Sequence, residues 1–216
     1  MVPRRQVPNA LTLLRLLLAA GFFACLEFWT LADGPGPALH LAVGLFVLAA
    51  ATDALDGHLA RRWGVVSAFG RIMDPFCDKV LVLGAFAYLA GPRFVVPEWS
   101  EAGRLIPTAS AVIPAVVVVL LARELLVTAV RGVAESMGIA FPARAAGKAK
   151  MILQSAGVPV ILLLTAHAPP QEHSWSFGIN AGIVAAVTVA TIWSGWPYVA
   201  AVRPIMRGGP EHPPTA

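Results

Sequence analysis

Six apolar runs, each near the length a helix needs to cross a bilayer, limit what this chain can fold into. A helix rises about 1.5 Å per residue and the hydrocarbon core is about 30 Å thick, so about 20 apolar residues suffice. The runs fall at residues 10–32, 38–62, 68–91, 108–137, 147–167 and 177–202. Breaks rich in Pro and Gly, at 32–37, 91–92 and 168–170, separate several of them. Only 13% of the 216 residues are charged, against about 25% in a soluble domain. That excludes a disordered chain and argues against a single water-soluble globule. The expected fold is all-α: one domain, 1–216, folded as a polytopic membrane bundle of six transmembrane helices. It has an amphipathic N-terminal lead-in and a disordered, Pro-rich tail from about 205 to 216. Cys25 and Cys77 both sit in apolar stretches, so no disulfide framework is expected.

Arg4 and Arg5 before an apolar stretch raise the question of a cleaved signal peptide. The run is too long for one and Arg15 interrupts it, so a retained first helix is expected. With six spans both termini share a side. That side carries Arg4, Arg5, Arg15, Arg61, Arg62, Arg144, Lys148, Lys150, Arg203 and Arg207, and the other carries Arg93 and Arg104 with Glu98, Glu101 and Glu172. Ten cations against two place both termini in the cytoplasm by the positive-inside rule. Cations against an anionic leaflet also account for the net charge of +4 without nucleic acid as a partner.

Ionisable groups inside membrane spans are costly and mark functional sites. The chain has five aspartates, and four fall within 26 residues: Asp53, Asp56, Asp74 and Asp78. The first two are three apart and the last two four apart, so each pair occupies one helix face. A tight turn near Gly64–Ser67 makes the two helices antiparallel neighbours. In such a hairpin Asp56 lies level with Asp74, and Asp53 with Asp78, so all four carboxylates can line one cage. At about 2.5–3.5 kcal/mol per acid, four such groups cost on the order of 10 kcal/mol before their mutual repulsion. Two divalent cations, Mg²⁺ or Mn²⁺, would cancel that charge with the oxygen ligands they prefer. Two such ions side by side form a clamp for phosphoryl displacement. Gly57 and Gly70 open space beside the cage, and Arg61 lies one turn beyond Gly57. The competing structural reading pairs the acids with Arg61, Arg71 and Lys79 as buried salt bridges.

Asp53-x2-Asp56-Gly57-x2-Ala60-Arg61-x8-Gly70-x3-Asp74-x3-Asp78 resembles, with every spacing intact, the motif of the CDP-alcohol phosphotransferase family. The resemblance implies a six-helix membrane enzyme with two divalent metals, typically dimeric. A hydroxyl attacks the β-phosphate of a CDP-activated alcohol and CMP leaves. It further implies that the four aspartates hold the metals and that Asp78 is the general base. Asp53, Gly57, Ala60, Arg61, Gly70 and Asp74 would line the CDP site. His58 and Cys77 occupy variable positions and are expected to be packing residues.

The remaining cations bear on the acceptor. Arg123, Glu124 and Arg131 lie on the fourth span, with Glu124 and Arg131 on one face; Gly147, Lys150 and Gln154 form one stripe on the fifth. Arg123, Arg131, Lys148 and Lys150 thus ring the cytoplasmic half of the bundle, although Arg144 and Lys148 can also snorkel to lipid phosphates. A basic pocket near the metals suits an acceptor that brings its own phosphate. These segments, with Asn9, Thr12 and Arg15 at the start, resemble the bacterial branch of the family that joins CDP-diacylglycerol to glycerol 3-phosphate. Met151 departs from that pattern, where a Thr is expected. The product would be phosphatidylglycerophosphate, made at the cell (inner) membrane from the cytoplasmic side. Inositol phosphate, serine or phosphatidylglycerol stay open as other acceptors within the family. From another class, a divalent-cation transporter also places acids in the membrane, although the repeated halves and broken helices of transporters are not found here.

Overall fold

The computed structural model describes the backbone of residues 7–63, 68–137 and 145–206, and side chains for 10–53, 73, 76–137 and 147–200. The described residues form seven α-helices and no strand: α1 (Val7–Glu27), α2 (Pro37–Trp63), α3 (Ala68–Leu89), the short α4 (Pro97–Glu101), α5 (Pro114–Ser136), α6 (Ala145–His167) and α7 (Ser174–Met206). Three helices among the described residues are long and apolar enough to cross a membrane, over Ala10–Glu27, Gly147–His167 and Ser174–Ala200. In α2 the apolar stretch within the described side chains runs over Pro37–Asp53. The 23 residues of α5 include Arg123, Glu124, Arg131 and Glu135, which lower its apolar character.

α1 packs along α2 and also touches α3; α6 packs on α7, α7 on α5, and α3 reaches α2, α5 and α6. The core that joins them repeats at helical spacing. Leu18, Phe22 and Leu26 of α1 meet Leu39, Ala42 and Phe46 of α2 in one buried cluster, with Phe22 and Phe46 rings 5.2 Å apart. The outside is equally apolar. Leu17 of α1, Val118 of α5, and Trp193 and Trp196 of α7 are all exposed. Such helices sort themselves by packing and by the few polar groups they must shelter, since lipid is as apolar as their core.

Two boundaries differ from the sequence expectation. The first run was expected to stay helical to 32, but α1 stops at Glu27. There Trp29 turns inward and donates its Nε1–H to the Gly34 carbonyl at 2.9 Å, and Arg93 pairs with Glu27 at 2.7 Å. In the same turn the backbone N–H and the hydroxyl of Thr30 both donate to Asp33, at 2.6 and 2.9 Å. Those bonds hold the Asp33 carboxyl below the usual range. The stability they contribute is present above the ordinary carboxylate pKa and is lost as pH falls through the lowered one.

The second difference is larger. Residues 108–113 were expected to open the fourth span, yet they are buried and irregular, and the helix begins only at Pro114. Irregular backbone at this depth requires local hydrogen bonds. Thr108 donates its hydroxyl to the Val112 carbonyl at 2.7 Å, Ser110 donates to the Leu89 carbonyl at 2.6 Å, and Asn180 of α7 donates to the Ala109 carbonyl at 3.1 Å. The segment is thus a polar plug at the end of the bundle where α7 begins. Asn180→Ala removes the donor from a buried carbonyl, which costs about 1–3 kcal/mol. The expected outcome is a lower Tm for that variant in detergent micelles, while a substitution at exposed Leu105 leaves Tm unchanged.

Candidate active site

Two cavities meet at Asp78. The larger, about 530 Å³, lies between α3, α5, α6 and α7. The four cations proposed to handle phosphate, Arg123, Arg131, Lys148 and Lys150, all line it with Gln154, Gly147 and Asp78. The smaller is walled by Arg15 of α1, Ala49, Ala50 and Asp53 of α2, and Asp78 of α3. Asp78, Val82 and Met151 belong to both. The helical depth relation is visible here: Asp53 and Asp78, expected at one level, line one cavity although they sit on different helices.

Three of the cations in this region meet a carboxylate. Arg15 is 1% exposed and its Nη1 lies 2.8 Å from Asp53 Oδ1. Glu124 is held from two sides, by Arg123 at 2.8 Å and by Lys150. Arg123 also donates to the Ser194 carbonyl of α7 at 3.4 Å. A Cβ on Gly195 would stand 3.0 Å from Arg123 Cγ, so a glycine here lets the arginine stem lie close against α7. Arg131 donates to the Tyr198 hydroxyl at 2.8 Å, with its guanidinium over that ring. Lys79 donates to the hydroxyl of Thr128 and pairs with no acid among the described residues.

Counted by formal charge, the large cavity is lined by Lys79, Arg123, Arg131, Lys148 and Lys150 against Asp78, Glu124 and Glu135. Five cations against three carboxylates leave an excess of two positive charges, the complement of a phosphomonoester dianion. Gln154 adds a neutral donor. It is 2% exposed, it lines the cavity, and its Nε2 has no hydrogen-bond partner among the described residues. Met151 forms part of the wall where a threonine was expected, so that wall is thioether and not hydroxyl.

Of the remaining sequence candidates, Thr12 is buried in α1 one turn before Arg15. Asp56, Gly57, Ala60 and Arg61 on α2, Gly70 and Asp74 on α3, and Asn9 on α1 lie outside the described side chains, as does the turn at 64–67. Asp53 and Asp78 are therefore the described half of the expected cage. Both line one cavity, and carboxylates are the donors that suit a hard divalent cation. Arg15 on Asp53 already offsets one of the two charges.

Sequence reasoning did not find three features of the site. It recorded Arg15 without its counter-ion Asp53, although a cation inside an apolar helix calls for one. It gave Glu124 no role, whereas that carboxylate joins Arg123 to Lys150. Tyr198, in the last span, was passed over because an aromatic residue there reads as ordinary membrane packing.

Residues 5–199 match the family described as CDP-alcohol phosphatidyltransferase. The CDP-diacylglycerol–glycerol-3-phosphate 3-phosphatidyltransferase of Bacillus subtilis (strain 168) is 33% identical over 202 residues, covering 89% of this chain and 93% of the relative. A protein of the same name from Shigella flexneri serotype 5b is 27% identical over 204 residues, covering 92% of this chain and 95% of the relative. One from Cereibacter sphaeroides is 41% identical over 88 residues, 40% of this chain and 37% of its own. With the match running nearly end to end and the aspartate motif inside it, the chain belongs to the CDP-alcohol phosphatidyltransferase family.

Proposed function

We propose that this protein transfers the phosphatidyl group of CDP-diacylglycerol to glycerol 3-phosphate, releasing CMP and forming phosphatidylglycerophosphate. The observation that carries the reading is the position of Asp78 between two unlike cavities. One side holds the carboxylates of the family motif; the other is a cation-lined pocket with an excess of two positive charges. The carboxylates on the first side suit the metals that meet a lipid-linked pyrophosphate, and a small soluble phosphate ester suits the second. The names of the relatives from Bacillus subtilis and Shigella flexneri state this same donor and acceptor.

In this reading Arg131, Lys148 and Lys150 take the phosphate of glycerol 3-phosphate, and Gln154 donates to one of its oxygens. Glu124 holds Lys150 and Arg123 in place, so the pocket is ordered before the acceptor enters and loses little side-chain freedom on binding. The acceptor hydroxyl then lies toward Asp78, whose carboxylate takes its proton. The hydroxyl oxygen forms a bond to the phosphorus that carries diacylglycerol, and the bond from that phosphorus to the CMP oxygen breaks. Asp53, Asp56, Asp74 and Asp78 would hold two divalent cations, Mg²⁺ or Mn²⁺. When bound, these supply positive charge to the pyrophosphate and to the departing CMP. Gly57, Ala60, Arg61 and Gly70 would line the cytidine side of the donor, as the family motif implies. Asn9, Thr12 and Arg15 support the same end of the bundle, Arg15 through its ion pair with Asp53.

The wider setting belongs to the same proposal. Six helices span the cell (inner) membrane with both termini and the site toward the cytoplasm, and two chains associate as a homodimer. The side that would face the cytoplasm holds ten of the lysines and arginines. The exposed apolar faces of α1, α5 and α7 suit contact with lipid.

Asp78→Asn is expected to lower CMP release from CDP-diacylglycerol by at least about 10²–10⁴-fold, the usual contribution of a general base. Circular dichroism of that variant stays that of the parent; a parental rate would exclude the role. Arg131→Ala and Lys150→Ala are expected to raise KM for glycerol 3-phosphate about 10- to 100-fold, as loss of a charged hydrogen bond of about 1.5–3 kcal/mol implies. KM for CDP-diacylglycerol is expected to stay unchanged, and an unmoved acceptor KM would point to a different alcohol. Chelation with EDTA is expected to stop CMP release, and added Mg²⁺ or Mn²⁺ to restore it.

A further inference from the structure

At the end of the bundle away from Asp78, His40 in the first turn of α2 faces His167, the last residue of α6. Their Nε2 atoms are 3.3 Å apart, and the rings stand nearly perpendicular with centroids 5.2 Å apart. The other nitrogen of each ring settles its protonation. His40 Nδ1 lies 2.8 Å from the Gly36 carbonyl and His167 Nδ1 lies 3.1 Å from the Leu163 carbonyl. A carbonyl oxygen only accepts, so each Nδ1 carries a proton and donates it. In the neutral rings both Nε2 atoms then present lone pairs to each other across 3.3 Å. That contact is repulsive between two neutral rings and becomes favourable when a cation, a shared proton or a metal ion, lies between them.

We propose that His40 and His167 form a binding site for a borderline transition-metal cation such as Zn²⁺, bridging α2 and α6. Two imidazoles bound to one zinc at about 2.0–2.1 Å in tetrahedral geometry place their nitrogens about 3.3–3.4 Å apart, which is the spacing found. Metal-bound histidines typically donate the second ring N–H to a carbonyl or carboxylate, which fixes the ring and its tautomer; both rings here already do so. Both side chains are exposed, so a hydrated ion has access. Among the described residues no third His, Cys, Asp or Glu joins the pair, so water completes the coordination and the ion is exchangeable. The site is separate from the carboxylates: Asp53 is thirteen positions after His40 on α2, about 20 Å at helical rise. Imidazole pairs select Zn²⁺, Cu²⁺ or Ni²⁺ over Mg²⁺, so the two ends of α2 take different metals. A cation here ties the start of α2 to the end of α6, two helices that each supply residues to the active site.

The test uses the full chain in detergent micelles with excess Mg²⁺ to saturate the carboxylates. Zn²⁺ is titrated against a chromogenic chelator, and Tm is measured with and without Zn²⁺. The expected result is one Zn²⁺ per chain that raises Tm, with affinity falling about tenfold or more in each of His40→Ala and His167→Ala, as loss of one of two ligands implies. CMP release with Mg²⁺ alone is expected to be unchanged in both variants, which shows that they are folded. Should either variant lose that activity, Cu²⁺ bound to the unaltered chain decides by electron paramagnetic resonance. Coupling to two imidazole nitrogens supports the site, and coupling to none or to one overturns it. Equal Zn²⁺ affinity in parent and folded variants, or no Zn²⁺ bound beyond what Mg²⁺ displaces, also overturns it.

Discussion

A charge withdrawn from water must be met by another charge, and this requirement organises the functional half of the bundle. Arg15 is buried in α1 and meets Asp53 of α2; Arg123 of α5 and Lys150 of α6 meet at Glu124. Arg15–Asp53 crosses from α1 to α2 and Lys150–Glu124 from α6 to α5, so these two pairs also fix which helices are neighbours at this depth. Apolar packing alone sets that weakly in lipid, where the outside of the bundle is as favourable as the inside. Breaking one partner of such a pair strands the other, which is why these contacts specify an arrangement more than they add stability. Glu124 serves binding in the same way: it neutralises part of the pocket while leaving enough positive charge for a dianion.

The same constraint separates the two substrates. A lipid-linked donor and a soluble acceptor differ in where they come from, and the two cavities differ in lining accordingly. One is small and bounded by α1, α2, α3 and α6; the other is wide and bounded by α3, α5, α6 and α7. Asp78, Val82 and Met151 form the shared wall. In the proposed reaction one group must touch both bound species, and Asp78 is the carboxylate that lines both cavities. The expected threonine at 151 would have put a hydroxyl in this wall. Methionine leaves it apolar there, so in the proposed reading polar selection of the acceptor rests on the cations, Gln154 and Asp78.

The legible parts of the sequence were those carried by local periodicity. Aspartates at spacings of three and four, read with an antiparallel hairpin, placed Asp53 level with Asp78, and those two do line one cavity. The stripe of Gly147, Lys150 and Gln154 likewise lines one wall. What was not legible depended on contacts between distant segments. Arg15 and Asp53 are 38 positions apart, and nothing local to either names the other. Tyr198 meets Arg131 only because α7 lies on α5. The late start of α5 was hidden for a different reason: residues 108–113 are small or apolar and read as helix. Their side-chain hydrogen bonds to Leu89 and Val112, and the one from Asn180, sustain another path.

That irregular segment has a functional reading of its own. Helices of a bundle leave a gap wherever polar groups are gathered, and a gap open at both ends would be a pore. At the end where α7 begins, Thr108, Ser110 and Asn180 are almost wholly buried, and they fill the space with hydrogen-bonded backbone. At the other end the arginines and lysines keep side chains apart and a cavity of about 530 Å³ remains. The asymmetry follows from the chemistry of the two polar sets. Hydroxyl and amide groups satisfy one another at short range and close the bundle, whereas Arg123, Lys150 and Arg131, held by Glu124 and Tyr198, border a space whose net positive charge suits an anion.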